Sequence, residues 1–130
     1  MDTTASLIIL ALVSLLFLPQ LIAQLRARAL QGRPAPDISH LIDQRQREYG
    51  NIMLYFFSPA CGPCRAMTPV IDELAQRHGN VIAVDVMQSS ELAGRFGVMG
   101  TPTTVLVRDG KIQKMLMGKQ SAGRLEALLG

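Results

Sequence analysis

Four apolar runs of strand length occur in the chain from Ile52 onward. As a group they are rich in Val, Ile, Thr and aromatic residues, which favour strands. The runs are Ile52–Phe57, Val81–Val86, Thr103–Val107 and Ile112–Met117, of which the last is expected at a sheet edge. The segment Arg108-Asp109-Gly110-Lys111 between the last two runs predicts a hairpin turn, with glycine where a positive φ is needed.

Helical spacing of apolar residues occurs between and after these runs. Arg65–Gly79 carries apolar residues at helical intervals, Glu91–Phe96 predicts a short helix, and Ser121–Leu129 predicts an amphipathic last helix. Strands that alternate with helices in this way predict an α/β domain. Its central sheet is mixed, with helices packed on both faces.

A further helix is expected before the first strand. Asp37 or Ser39 is placed to cap this helix, which would run to about Glu48. Its buried side would be formed by three apolar residues: Ile38, Leu41 and Ile42.

The N-terminal segment has a different character from the rest of the chain. Thr3 to Leu25 contains no charged residue, and every Lys and Arg lies at Arg26 or later. At about 1.5 Å per residue, a helix of this length spans the roughly 30 Å hydrocarbon layer of a membrane. A cleaved signal peptide is the alternative, but the segment has Asp2 and no basic residue before a long apolar run. We therefore expect an uncleaved transmembrane anchor that contacts the lipid bilayer.

Charge and composition divide the chain into three parts. We expect an anchor and juxtamembrane helix over residues 1–31, a stiff Pro-containing linker over 32–37, and a folded domain over 38–130. Arg26, Arg28 and Arg33 follow the apolar segment. The positive-inside rule therefore favours a cytoplasmic domain of a single-pass protein in the bacterial inner membrane, with a periplasmic domain as the alternative. The modest net charge of +3 and the lack of a basic stripe with interleaved aromatics argue against nucleic-acid binding.

The only two cysteines of the chain form the motif Cys61-Gly62-Pro63-Cys64. The motif lies where the first predicted strand ends and a helix begins. Unpaired N–H groups and the helix dipole at such a terminus favour the thiolate of Cys61, which is the species that attacks a disulfide. Cys64, one turn deeper, can then attack the mixed disulfide. A Cys-x-x-Cys motif in this strand–helix context indicates redox exchange.

Two other roles for the pair fit the residues less well. A zinc site needs three or four ligands, and His40 and His78 are not spaced as a ligand pair. A purely structural disulfide across so short a loop would constrain the unfolded chain little. Binding of a metal by the two thiols alone, as in a metal chaperone, stays open.

Several motifs together resemble the thioredoxin family. They are Cys61-Gly62-Pro63-Cys64 with Pro69 and Asp72-Glu73-Leu74 after it, and Phe96-Gly97-Val98-Met99-Gly100-Thr101-Pro102-Thr103. The resemblance covers Ile52 to Leu129 well and Asp37 to Gly50 loosely. It implies a thioredoxin fold, which the apolar N-terminal segment would precede as one transmembrane helix.

The resemblance also implies roles for individual residues. Cys61 would be the nucleophile and Cys64 the resolving thiol, and Pro102 would be a cis proline. Substrate would contact five residues around the two cysteines, namely Gly62, Pro63, Met99, Thr101 and Pro102. No cofactor is implied, because the redox-active disulfide Cys61–Cys64 itself carries the electrons.

The chain departs from the family pattern at three positions. Ala60 stands where the family usually has Trp before the first cysteine. Tyr55 occupies the position of a buried carboxylate, and Ala83 that of the lysine that partners it. Loss of both charges together is physically consistent, since either alone would be a buried unpaired charge. Tyr55 is therefore expected to pack in the core, with possible tuning of the redox centre by its hydroxyl.

These observations predict a membrane-anchored thiol–disulfide oxidoreductase. Its substrates would be protein disulfides, and the Cys-Gly-Pro-Cys spacer resembles reducing members of the family. A separate reducing partner must then recharge the dithiol. The alternatives are a binding or assembly module with weak turnover, in which Tyr55 and Ala83 replace the charged pair, and the metal chaperone.

Overall fold

The computed structural model describes residues 2–129, the side chains of Ala27 and Leu30 excepted. Residue 1 of the expected anchor and residue 130 of the expected domain lie outside this range. The elements follow the chain in the order α1 (Thr3–Leu30), α2 (Gln44–Arg47), β1 (Asn51–Phe57), α3 (Gly62–Arg77), β2 (Val81–Asp85), α4 (Ser90–Phe96), β3 (Thr103–Arg108), β4 (Lys111–Met117) and α5 (Ala122–Leu129). All four predicted strands and the last three predicted helices are thereby confirmed.

The four strands form one mixed sheet in the order β2-β1-β3-β4. β1 pairs in parallel with β2 and antiparallel with β3, which pairs antiparallel with β4. β1 is therefore enclosed by two neighbouring strands, and its five central residues are buried. The position of its carboxyl end is fixed by this pairing, and the cysteine motif follows directly.

Apolar side chains pack on both faces of the sheet, as expected. One face is covered by α4, where the Phe56 and Phe96 rings lie 5.4 Å apart between centroids. The other face is covered by α3 and α5. The residues of α3 and α5 that pack in this second layer are Met67, Ile71, Leu74, Leu125 and Leu129. Burial of these two layers is the main force that holds the helices against the sheet.

The prediction of a helix from Asp37 or Ser39 to Glu48 is wrong. Only one helical turn forms there, α2, with Asp43 as its N-cap. The Asp43 carboxylate accepts from the Gln46 N–H at 2.7 Å, and the Gln46 side chain accepts from the Asp43 N–H at 3.0 Å. This reciprocal cap starts the helix late. The Asp37 carboxylate instead accepts from the Ser39 N–H at 2.9 Å, which forms a turn.

The expected apolar contacts of this segment are nevertheless made. Ile38 is buried, and Leu41 and Ile42 pack against the α4 side of the core. The apolar pattern therefore indicated which residues are buried, but not the backbone conformation that buries them.

The N-terminal helix α1 is long, apolar and exposed. Residues Thr3–Arg26 have a mean hydropathy of 2.4, and none of that window is buried in the fold. The helix continues through Pro19 and ends at Leu30. Such a helix suits either a membrane span or a signal sequence.

Residues after α1 add a short extended segment to the edge of the sheet. The Gly32 N–H donates to the Ile112 carbonyl at 2.6 Å, and the Ile112 N–H donates to the Arg33 carbonyl at 2.9 Å. The Ala35 N–H donates to the Gly110 carbonyl at 2.8 Å. The residues expected as a linker are thus bound to β4, and part of an exposed sheet edge is covered.

Candidate active site

The cysteine motif lies at the junction of β1 and α3, as the sequence predicts. After Phe57 the chain turns through Ser58, whose carbonyl accepts from the Cys61 N–H at 3.1 Å. Cys61 has extended backbone angles and is the N-cap of α3, with Pro63 in the first turn. Proline is favoured there because its missing N–H has no helical partner in any case.

The two cysteines are joined in a disulfide, with Cα atoms 5.2 Å apart. The Cys61 sulfur also accepts a hydrogen bond from the Cys64 N–H at 3.2 Å. Cys61 is partly exposed, whereas Cys64 is buried, with an exposed fraction of 2%. Once the disulfide is reduced, the same N–H and the helix dipole stabilise a thiolate on the outer sulfur. The geometry therefore favours Cys61 as the sulfur that reacts with an incoming disulfide.

A cluster of three hydroxyl and carbonyl groups lies beneath Cys64. The Tyr55 hydroxyl donates to the Cys64 carbonyl at 3.2 Å and lies 3.3 Å from the Thr68 hydroxyl. The Thr68 hydroxyl donates to the same carbonyl at 2.8 Å. Tyr55 therefore connects β1 to the first turn of α3 through the backbone of Cys64.

The Tyr55 hydroxyl is a neutral donor at physiological pH. Burial raises the pKa of Tyr55 above its ordinary value, and the negative charge of Asp72 raises it further, although the Thr68 hydrogen bond opposes both effects. The group is fully buried, and its partner is the Cys64 carbonyl rather than the Cys64 sulfur. The hydroxyl is thus positioned to support the cysteine, and not to take its proton.

Sequence analysis did not identify Thr68 as a member of this site. Thr68 is four residues after Cys64, and this spacing places a hydroxyl beside the cysteine carbonyl in a helix. The spacing of Thr68 from Cys64 was the only indication in the sequence. It identifies Thr68 as part of the site only once the Tyr55 hydroxyl is known to lie beside the same carbonyl.

Strand register places Tyr55 between Ala83 of β2 and Thr104 of β3. Neighbouring residues on paired strands share a face of the sheet. The positions that lack the family's charged pair are therefore direct neighbours, and Ala83 is exposed. Thr104 is buried, and its hydroxyl has no hydrogen-bond partner among the described residues.

The loop before β3 reaches the same end of the sheet as the cysteines. Thr103 pairs with Phe56, near the end of β1, so Thr101 and Pro102 lie on the side where α3 begins. The Thr101–Pro102 peptide bond is cis, which confirms the expectation drawn from the resemblance. The Pro102 carbonyl accepts from the Gly118 N–H at 2.8 Å, which ties the loop to the end of β4.

Residues expected to contact substrate are distributed around this end of the sheet. Gly62 and Pro63 are exposed between the two cysteines, and Thr101 is partly exposed. Met99 is 70% exposed, and its sulfur lies 3.9 Å from Nη1 of Arg26 in α1. Contact between α1 and this loop was not foreseen from the sequence. Within residues 2–129 there is no group of three or more His, Cys, Asp or Glu side chains that could hold a metal ion.

We expect Tyr55→Phe to lower the free energy of unfolding by about 1 kcal/mol at pH 7, because a buried hydrogen bond is lost and the Cys64 carbonyl keeps only Thr68. The pKa of Tyr55 is raised in the folded state, so the unfolded chain ionises first as the pH rises. The stability that wild type gains from this group is therefore lost above about pH 10, and Tyr55→Phe has no such contribution to lose. The difference in free energy of unfolding between the two proteins should then narrow. Urea unfolding of both proteins at about pH 7 and about pH 10.5 measures this, and a difference that does not depend on pH would contradict it.

Comparison with known proteins agrees with this geometry. The thioredoxin family model matches residues 40–130. Thioredoxin of Bacillus subtilis is 34% identical over 83 residues, which cover 62% of this chain and 80% of that protein. Thioredoxin of Alicyclobacillus acidocaldarius is 37% identical over 81 residues, which cover 60% of this chain and 77% of that protein.

Solved structures show the same similarity. A point-mutant thioredoxin from Halobacterium salinarum superposes with a TM-score of 0.63 at 29% identity, over 76% of this chain and 88% of that one. Mitochondrial thioredoxin 3 from Saccharomyces cerevisiae gives a TM-score of 0.53 at 28% identity, over 64% of this chain and 79% of that one. The matched region contains the disulfide at the start of α3. The chain belongs to the thioredoxin family and is a thiol–disulfide oxidoreductase.

Proposed function

We propose that the protein reduces disulfides of other proteins through the dithiol of Cys61 and Cys64, while its N-terminal helix holds it in a membrane. The observation that carries the redox part is the hydrogen bond from the Cys64 N–H to the Cys61 sulfur at the start of α3. It gives the more exposed sulfur a donor that favours its anionic form.

The exchange has two steps. The Cys61 thiolate attacks one sulfur of the substrate disulfide, that bond breaks, and the second substrate sulfur leaves as a thiolate. Cys64 then loses its proton, and its sulfur attacks Cys61 in the mixed disulfide. The Cys61–Cys64 bond forms, and the first substrate sulfur leaves reduced. A separate reducing partner returns two electrons to the pair.

The loop at Pro102 would bind the substrate chain beside Cys61. A proline nitrogen has no N–H, so the edge near Thr101 leaves backbone groups available to an extended peptide. Gly62 and Pro63 would contact the same peptide from the other side, because both are exposed between the two cysteines. Met99 would supply an adaptable apolar contact.

Cys64→Ser is expected to trap the first step, since the attacking sulfur is kept and the resolving one is lost. Incubated with an excess of insulin, this variant should accumulate a mixed disulfide that dithiothreitol releases. Wild type should reduce insulin repeatedly when a chemical reductant is supplied. Cys61→Ser is the matched control and should form no adduct. An adduct formed by Cys61→Ser and not by Cys64→Ser would reverse the assigned roles, equal adducts would show that either sulfur can attack, and inactive wild type would favour the binding module.

A second test restores the carboxylate and the lysine that the family usually has at the positions of Tyr55 and Ala83. In Tyr55→Asp with Ala83→Lys, the new carboxylate would lie in the core on the side of β1 that faces Cys64, and the lysine would lie on the neighbouring position of β2. A general base of this kind should speed resolution of the mixed disulfide by about tenfold or more. Stopped-flow single turnover measures that step. Ala83→Lys alone is the control and should leave the rate of resolution unchanged, because Ala83 is exposed. A double variant that folds but resolves no faster would show that deprotonation of Cys64 does not limit this step.

The membrane anchor is supported by the length and exposure of the apolar window in α1. The contacts of the following residues with β4 support retention of the helix, because cleavage near them would remove part of the sheet edge. Arg26, Arg28 and Arg33 favour a cytoplasmic domain. The periplasm is the alternative location.

We expect the protein to keep its full-length mass in cells and to remain in the membrane pellet after extraction with alkaline carbonate. Cys61 in a cytoplasmic domain should react with a membrane-impermeant maleimide only after permeabilisation. The Cys64→Ser background simplifies this labelling to one thiol. A shortened, soluble product would show that the segment is a signal sequence, and labelling in intact cells would place the domain in the periplasm.

A further inference from the structure

A groove separates the end of α1 from the loop that leads to Pro102. Its volume is about 530 Å³. Six side chains from its two walls bear on its chemistry: Ala23, Arg26 and Arg33 on the α1 side, and Val98, Met99 and Met117 on the domain side.

The segment that follows α1 is attached to the sheet by backbone hydrogen bonds. Three hydrogen bonds join residues 32–35 to residues 110–112, directly after α1 ends. β4 is in turn paired along its length with β3, the strand that Pro102 precedes. The end of α1 and the Pro102 loop are therefore attached to the same two strands. The groove between them therefore lies at the edge of the sheet.

The groove shares Met99 with the set of residues proposed to contact substrate. Met99 lies three residues before the cis proline, and its side chain is largely exposed. The Arg26 guanidinium reaches across the groove to the Met99 sulfur, at 3.9 Å. A peptide bound beside Pro102 would thus have the α1 side chains within reach of its flanking residues.

The chemistry of the walls is specific. The lining is mostly apolar, with methionines that adapt to varied side chains. Arg26 and Arg33 are its only charged residues among those described, and both are cationic. The arginine facing Met99 has no carboxylate partner among the ion pairs of the described residues. The groove thus suits a chain segment that combines an apolar side chain with a carboxylate.

We propose that this groove binds the segment flanking the substrate cysteine, and that Arg26 selects substrates with an acidic residue beside an apolar one there. This inference rests on the proposed disulfide reduction. It assigns the end of α1 a role in specificity, in addition to attachment to the membrane.

The test uses the full chain in nanodiscs of neutral phosphatidylcholine. Two disulfide-linked peptides are compared, identical except for Leu-Glu or Leu-Lys beside the cysteine. Wild type should reduce the acidic peptide with a kcat/KM about fivefold higher. Arg26→Glu should reverse this preference. Arg45→Glu, in the exposed helix α2, changes the net charge equally but lies outside the groove, and should keep the wild-type preference.

Binding is measured separately with the same peptides carrying serine in place of cysteine, by fluorescence anisotropy. A charge preference in binding that Arg26→Glu reverses supports the groove even if no peptide is reduced, in which case the proposed reduction alone has failed. Equal preferences in wild type, Arg26→Glu and Arg45→Glu would overturn the inference. No peptide preference, together with Arg26-dependent binding of phosphatidylglycerol, would assign the groove to lipid and overturn it as well.

Discussion

The junction of β1 and α3 is the constraint on which the rest of the site depends. A helix usually begins at a Ser, Thr, Asp or Asn whose side chain accepts a backbone N–H. Here the Cys61 sulfur takes that place and accepts from the Cys64 N–H. The atom proposed to react and the capping atom are therefore the same. A thiolate at this position is a stronger acceptor than a thiol, so the helix terminus and the anion stabilise each other. Buried pairing of β1 on both sides keeps this junction at one place on the sheet.

Most of the domain was predictable because its core segments are unambiguous locally. The strands are short apolar runs, and α3 and α5 bury apolar residues at helical spacing. The segment before β1 was mispredicted for a local reason. Asp37 and Asp43 are both suitable caps, but Asp37 forms a turn with Ser39, while Asp43 forms a capping box with Gln46. Periodicity alone does not decide between two such competing hydrogen bonds.

The parts of the candidate site that could be predicted are those whose residues lie close together in the sequence. The cysteine pair and its helix are local, and the cis proline followed from the resemblance to a family. The contact of Tyr55 and Thr68 with the Cys64 carbonyl depends on how α3 packs over β1. The groove beside Met99 depends on the path of the chain after α1. Both are tertiary features, and an apolar or polar pattern does not specify which distant residue will cover a side chain.

The two cysteines occupy environments of unequal polarity, and this bears on the specificity of the reaction. Cys61 lies at a helix terminus that favours its anion. Cys64 is buried above Tyr55, and the raised pKa of Tyr55 keeps the tyrosine hydroxyl protonated. A mixed disulfide that resolves slowly stays bound through Cys61 for longer. During that time, noncovalent contacts of the substrate decide whether the complex proceeds or reverts by attack of the departed thiol. A neutral Tyr55 beneath Cys64 and the groove that we propose to bind substrate at the end of α1 are thus physically coherent. Slow resolution makes contacts beside the cysteine more influential in the choice of substrate.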